Sequence, residues 1–340
     1  MQLGTTTPKV RFFNYAPGAA SLHERIVRGL KQPEKRLPSF LLYDARGIRL
    51  FDRLIGDDDY STARCESRLL NACGQELRRL VGNPATVVEY GSGTGRTAVA
   101  LLGALQSVAA YMPVDLSLSS LKLTLRRVRR AAGDINMVPV RADFTSCFAM
   151  PAVTPRPARI LVYLSSCAFS ALDRAAAARL LQGAIQFCGH RGRVLLGVDL
   201  RKLSESKSSG GARPRDDSVG PQRALESFNL NLLAHVNRRY AANFRREGFA
   251  HAVVANQADC RTELRLESLK DQIVKIDRRK VRLRYGDSIL TEARQRYGWA
   301  DVEASVRVAG GTFERAWLGD DRSVALCLVR PDTRTDAKRI

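Results

Sequence analysis

The feature that most constrains this chain is an alternation running from residue 85 to residue 199, in which short apolar runs take turns with amphipathic stretches. The runs are Ala85–Tyr90 (ATVVEY), Ala109–Val114, Asn136–Arg141, Arg159–Leu164 and Arg193–Asp199 (RVLLGVD). They are too short for core helices and apolar at consecutive rather than alternate positions, the pattern of strands buried on both faces. Thr97–Leu105, Leu118–Arg130 and Asp173–Phe187 between them have helical spacing. Strand and helix in this rhythm predict a parallel sheet with right-handed crossovers, hence an α/β fold. Near the C-terminal end, Gly311–Trp317 and Ser323–Val329 flank Leu318-Gly-Asp-Asp-Arg and predict an antiparallel hairpin.

The first strand runs into Glu89-Tyr-Gly91-Ser-Gly93-Thr-Gly95, with a helix after it. Glycines allow a tight turn and a close backbone approach to a ligand, and the amides opening a helix favour an anionic group. Such a turn alone also suits a dinucleotide. The next strand ends do more. Asp115 closes the second strand, where a carboxylate accepts the hydroxyls of a ribose. Asp143 and Phe144 follow the third, placed to accept from an adenine amino group and to pack on the ring. Read singly, Asp115 and Asp143 also suit helix N-caps or turns. Together with the terminal hairpin, these sites predict binding of S-adenosylmethionine (SAM) by Gly91, Gly93, Asp115, Asp143 and Phe144. The expected fold is a Rossmann-like class I SAM methyltransferase core.

The rest of the chain breaks the rhythm. Ser204–Pro221 (SESKSSGGARPRDDSVGP) reads as a long loop. Leu225–Phe244 reads as a long amphipathic helix, and Ala250–Val254, Arg261–Leu266, Gln272–Ile276 and Lys280–Tyr285 as short strands. The expected division is a core of residues 61–202 plus 297–336 and a second, α+β substrate domain of residues 1–60 plus 203–296.

Composition narrows the partners. The net charge of +21 attracts polyanions in general, but it comes mostly from arginines spread along the whole chain. The densest cluster, LTLRRVRRAAG, has helical spacing and reads as a solvated face, so no nucleic-acid partner is expected. The seven cysteines include no CxxC pair and the four histidines are isolated. Asp57, Asp58 and Asp59 are adjacent on one loop, where carboxylates rarely converge, so no metal is expected. No run suits a membrane span and the first residues lack the apolar core of a signal peptide, so a monomeric cytoplasmic protein is expected.

More specific than the glycine turn are LPSFLLYDARGIRLFDRL (37–54) and FNLNLLAHVNR (228–238), and beside them stand YSTARCES (60–67), VYLSS (162–166), LLGVDLRK (195–202) and ILTEARQRY (289–297). With VVEYGSGTGRT, MPVDLS and RADF, they make the chain resemble the histidine Nα-methyltransferases of ergothioneine biosynthesis and their relatives acting on other amino acids. The resemblance runs from about Leu37 to Val329 and implies a methyltransferase core completed by a substrate domain. It implies that Tyr43 contacts SAM, that Tyr60 lines the substrate pocket, and that Glu292 holds an imidazole. Two positions depart from the family pattern. Ser170 stands where the family has an asparagine gripping the substrate's amino and carboxylate groups. Arg294 stands where it has a serine, a second imidazole contact. A hydroxyl replaces a two-ended amide, and a long cation replaces a small neutral group. The implied activity is SAM-dependent N-methylation of an amino acid or related small amine other than histidine, with Tyr60, Glu292, Arg294 and Ser170 around the reacting group. RNA or protein methylation, and another SAM-dependent transfer such as aminocarboxypropyl transfer, stay open as alternatives.

Overall fold

The structure, a computed structural model, describes residues 11–56, 61–146, 148, 150, 151, 159–200 and 222–332. Tyr60, Asp57–Asp59 and the Ser204–Pro221 segment lie outside the described residues. The chain opens with β1 (Phe13–Asn14), α1 (Ala19–Lys31), β2 (Lys35–Arg36), α2 (Ala45–Gly56) and α3 (Ser61–Val81). The alternating region follows as β3 (Ala85–Tyr90), α4 (Arg96–Leu105), β4 (Val108–Val114), α5 (Leu118–Ala132), β5 (Val140–Arg141), β6 (Ile160–Leu164), α6 (Ser166–Ser170), α7 (Arg174–Cys188) and β7 (Arg193–Asp199). Then come α8 (Gln222–Tyr240), β8 (Phe249–Asn256), β9 (Arg261–Ser268), β10 (Gln272–Ile276), β11 (Arg279–Leu283), β12 (Ser288–Gln295), α9 (Trp299–Val308), β13 (Gly311–Leu318) and β14 (Val324–Pro331).

The large sheet has the order β1-β5-β4-β3-β6-β7-β14-β13. Its strands are parallel from β1 through β7, and the hairpin of β13 and β14 adds antiparallel to β7. After β1 at the edge, the chain runs through β3 and outward to β4 and β5, then returns to β6 and β7. The strand order therefore reverses between β3 and β6, where open α/β sheets leave a crevice at the carboxyl ends of their strands.

Why these runs form buried strands is visible in their partners. Val88, Tyr90, Val162, Leu164, Val194 and Leu196 share one core with Leu181 and Ile185 of α7. The intervening Val87, Leu161, Tyr163 and Leu195 share another with Leu70 and Leu77 of α3 and Leu101 of α4. Side chains alternate across the pleat and both faces are covered, so the strands are apolar at consecutive positions, with Thr86 and Glu89 of β3 as buried exceptions.

A four-stranded sheet, β2-β12-β9-β8, and the β10–β11 hairpin stand apart from the large one. Helix α8 packs on α2, β8 and β9. Ile26, Leu41, Phe51, Phe228, Leu232 and Ile289 belong to the core they share. Where the ends of β7 and β12 meet, Arg296 donates to Asp199 at 2.7 Å, and both side chains are buried.

Several elements differ from the sequence expectation. The third strand is only β5, with a single bridge from Tyr111 to Met137 standing for its earlier half. Helix α8 stops at Tyr240 rather than Phe244. The Asn237 side chain turns the chain there, donating to the Phe244 carbonyl and accepting from its amide, both at 2.8 Å. Strand β1 pairs with β5, so part of residues 1–60 joins the large sheet. Among the described residues no helix is long and apolar enough to cross a membrane.

Phe228 is fully buried, whereas Tyr285 is 75% exposed. Phe228→Ala should therefore cost about 3–5 kcal/mol of stability, and Tyr285→Ala no more than about 0.5 kcal/mol. Urea denaturation of the two variants beside the parent protein checks both values.

Candidate active site

The glycine turn sits at the carboxyl end of β3 and is tied down from β4. The Gly91 amide donates to the Val114 carbonyl at 2.8 Å and the Gly93 amide to Asp115 Oδ2 at 3.0 Å. Gly91 has φ +71°, and a methyl group there would lie 2.9 Å from the Ala168 methyl and 3.3 Å from the Phe144 ring. Only glycine fits both the dihedral and the space. From α5, Thr124 donates to the Ser92 and Gly93 carbonyls and Arg127 to the Thr94 carbonyl.

Arg127 also forks onto both carboxylate oxygens of Asp52 in α2, each at 3.0 Å, and Arg96 reaches the same carboxylate at 2.8 Å. Burial of Asp52 works against its charge, but the two guanidinium groups outweigh it and hold the carboxyl below its usual range. This corrects the reading of the arginine-rich helix as a wholly solvated face: one of its arginines clamps the N-terminal region to the glycine turn.

A cavity of about 560 Å³ lies over the carboxyl edge of the sheet. Gly91, Ser92, Gly93, Asp115, Asp143 and Phe144 line it along that edge, and Tyr43, Phe51, Glu292 and Arg294 line it from the elements of the second core. Asp115 opens to the cavity, and burial pushes its carboxyl up to about 6 against the amides of Ser117 and Gly93 that favour the charge. Asp143 accepts from the Thr145 amide and hydroxyl and pairs with Arg25 of α1 at 3.3 Å. The Ser92 hydroxyl is buried without a hydrogen-bond partner among the described residues.

At the other end, Tyr43 donates its hydroxyl to Glu292 Oε1 at 2.7 Å. Arg294 Nη2 stands 3.5 Å from Glu292 Oε2, and its guanidinium lies 5.8 Å from the centre of the Phe51 ring. Arg294 thus both lines the cavity and pairs with Glu292. Ser170 is buried but is not among the residues lining the cavity. Its hydroxyl donates back to the Cys167 carbonyl at 3.2 Å within α6, the local bond a short hydroxyl side chain makes. Cys167, Ala168 and Ala171 from the same segment line the cavity instead.

The family-like stretch on α8 acts as a frame. Asn229 accepts from Thr291, the neighbour of Glu292, and donates to the Arg265 carbonyl. Asn231 and Arg238 hold Asp44, the neighbour of Tyr43. Sequence reasoning passed over Glu66, Cys167, Arg25 and Arg36, which also line the cavity. For Glu66 a signal was available: Gly197 interrupts a buried strand, which marks a close approach by another group.

Residues 22–331 match the family described as histidine-specific, SAM-dependent methyltransferases. The chain belongs to that family. The methyltransferase is 28% identical over 316 residues to the histidine N-alpha-methyltransferase of Mycobacterium tuberculosis, covering 92% of this chain and 95% of that one. To the protein of the same name from Mycolicibacterium smegmatis it is 29% identical over 301 residues, covering 87% and 90%. It is also 35% identical over 127 residues to the N-methyltransferase benX of Aspergillus terreus, covering 37% of this chain and 35% of that one. The methyltransferase is thus a SAM-dependent enzyme of an N-methylating family.

Asp115→Ala should weaken SAM binding by roughly 1–3 kcal/mol, the cost of leaving buried partners unmatched. In the parent protein, SAM affinity should fall as pH drops through about 6, because a protonated Asp115 loses acceptor capacity. Isothermal titration calorimetry across that range, on both proteins, measures the two effects. Equal affinity in the variant would remove Asp115 from the site.

Proposed function

We propose that this methyltransferase methylates the amino nitrogen of a small amino acid or related amine, and that histidine is not its preferred acceptor. The observation that carries this reading is the occupation of Glu292. Tyr43 already donates to one of its carboxylate oxygens and the Arg294 cation lies beside the other. An imidazole would have to compete with both. A guanidinium fork in the cavity wall suits a carboxylate, either the acceptor's own or one on its side chain. The relatives leave room for such a change, since they include a protein named 4-dimethylallyltryptophan N-methyltransferase, 27% identical over 111 residues.

Along the sheet edge, Gly91 and Gly93 are read as receiving the methionine end of SAM, Asp115 the ribose hydroxyls, and Asp143 with Phe144 the adenine. Three features support that fit: a turn that tolerates no side chain at Gly91, the unmatched Ser92 hydroxyl, and the Asp115 carboxylate open to the cavity. Tyr43 is read as a SAM contact that also steadies Glu292 through its hydroxyl, and Glu292 and Arg294, with Tyr60, are assigned to the acceptor. SAM supplies an activated methyl group on a sulfonium. The protein's part is then to align the acceptor nitrogen, which must be unprotonated, and to exclude water. The same reading takes residues 61–202 and 297–336 as the methyltransferase core and residues 1–60 and 203–296 as the substrate domain. The separate four-stranded sheet supports it, and β1 is the piece of the first segment that crosses over.

The test is a turnover screen of the 20 amino acids and common amines with methyl-labelled SAM, following S-adenosylhomocysteine release. Histidine should react slowly or not at all, since a site lacking the partner a group requires loses orders of magnitude in rate. Arg294→Ser should raise histidine turnover. Efficient trimethylation of histidine by the parent protein would overturn the reading.

A further inference from the structure

Among the described residues five carboxylates line the cavity: Glu66, Asp115, Asp143, Asp173 and Glu292. Asp143 pairs with Arg25 and Glu292 with Arg294. Asp173 caps α7 by accepting from the Ala176 amide, and Asp115 is held by backbone amides at the ribose position proposed above. Glu66 remains. It projects from α3, has no solvent-exposed surface, and has no cationic partner among the described residues. It sits in the cavity wall beside the β6–α6 turn, where the strand order reverses.

The fold makes room for this charge deliberately. A methyl group on Gly197 of β7 would lie 1.9 Å from Glu66 Oε1 and 2.6 Å from the Ser166 backbone nitrogen, so a glycine is required in the middle of a buried strand. The carboxylate accepts from the Tyr163 hydroxyl at 2.9 Å, the Ser166 amide at 3.0 Å and the Ser166 hydroxyl at 2.6 Å. Neutral donors replace a counter-ion at every contact. An ionised carboxylate so enclosed carries a large desolvation cost unless an opposite charge arrives.

We propose that Glu66 is the buried counter-charge for the cationic cofactor, favouring the sulfonium of SAM over the neutral thioether of S-adenosylhomocysteine without touching either. The inference rests on the placing of the cofactor along the sheet edge given above. Adenine at β5 and ribose at β4 put the sulfonium farther along, toward β3 and β6, on the Glu66 side. Methyl transfer removes the cofactor's positive charge, so the same carboxylate loosens the product.

The proposal has a pH signature. Burial pushes the Glu66 carboxyl up to about 7, against the Ser166 and Tyr163 hydrogen bonds, and Asp199 of β7 adds repulsion. The other charged or titratable groups around it are Tyr163 of β6, Glu89 of β3 with its partner Tyr111, and Arg296, which pairs with Asp199. A nearby sulfonium favours the carboxylate and lowers its pKa in the complex. SAM affinity must then rise as pH rises toward and through about 7, while S-adenosylhomocysteine gains nothing from Glu66.

The test is calorimetric titration of both ligands from pH 5.5 to pH 7.5. Taking their affinity ratio largely cancels the groups they share, Asp115 included. The preference for SAM should grow by roughly tenfold across this range, the effect of a one-unit shift in one carboxyl. Glu66→Gln, the same shape without the charge, should make the ratio independent of pH. A folded Glu66→Gln protein whose ratio still climbs, or a flat ratio in the parent, overturns the proposal. If Glu66→Gln does not fold, Tyr163→Phe serves. Loss of one hydrogen bond to the carboxylate raises its pKa, so the climb should move to higher pH, and an unmoved curve overturns the proposal. The parallel Asp115→Ala titration separates the two readings. If that variant binds both ligands as the parent does, the cofactor placing itself fails. If it weakens both while Glu66→Gln leaves the preference intact, only the counter-charge is lost.

Discussion

Covering both faces of a parallel sheet is the constraint from which the rest of this structure follows. Once α3, α4 and α7 bury the strands on either side, the sheet can offer polar chemistry only at its edges. The carboxyl edge carries the glycine turn, Asp115, Asp143 and the β6–α6 turn, all facing one cavity. Because the strand order reverses between β3 and β6, the connections diverge there and leave the crevice open.

An open crevice needs a roof, and hydrogen bonds to buried asparagines and aspartates fix it in place. Asn229 and Asn231 occupy positions on α8 that would ordinarily be apolar, and both are buried. They hold Thr291 on one side and Asp44 on the other, and so carry Glu292 and Tyr43 into the cavity wall. Buried polar groups of this kind are costly unless matched, which makes their geometry specific. The family-typical stretch FNLNLLAHVNR is therefore a scaffold for the site rather than part of it.

The large sheet was legible because its strands carry apolar residues at consecutive positions and are punctuated by glycine and aspartate. Strand β12 was not, although it carries Glu292 and Arg294. Its partner register shifts between Leu290 and Glu292, and both Thr291 and Glu292 are buried. Polar residues at buried positions next to a bulge erase the period-two signal. Glu66 was hidden for a related reason: within STARCESRLLNACGQELRRLV a glutamate looks like one more solvated charge. That Gly91, Gly93, Asp115, Asp143 and Phe144 meet at one cavity was legible because each follows a strand end. The acceptor side rested on resemblance, and there Ser170 proved to be turned into its own helix. Some of the arginines have internal work, since Arg25, Arg96, Arg127 and Arg265 pair with acidic partners within the chain.

The pairing of β2 with β12 joins residue 35 to residue 289. Bringing two such distant stretches together closes a loop of most of the chain, an entropic cost that pairings between sequence neighbours carry to a smaller degree. The α/β units between Ala85 and Asp199, by contrast, are built from neighbours in sequence. The side of the cavity formed by Glu292 and Arg294 on β12 thus depends on a pairing of far longer sequence separation than β3 with β4 or β6 with β7. Substitutions near Glu292 and Arg294 therefore fall on a strand outside the large sheet that carries the glycine turn, so one wall of the cavity can vary while the other is held.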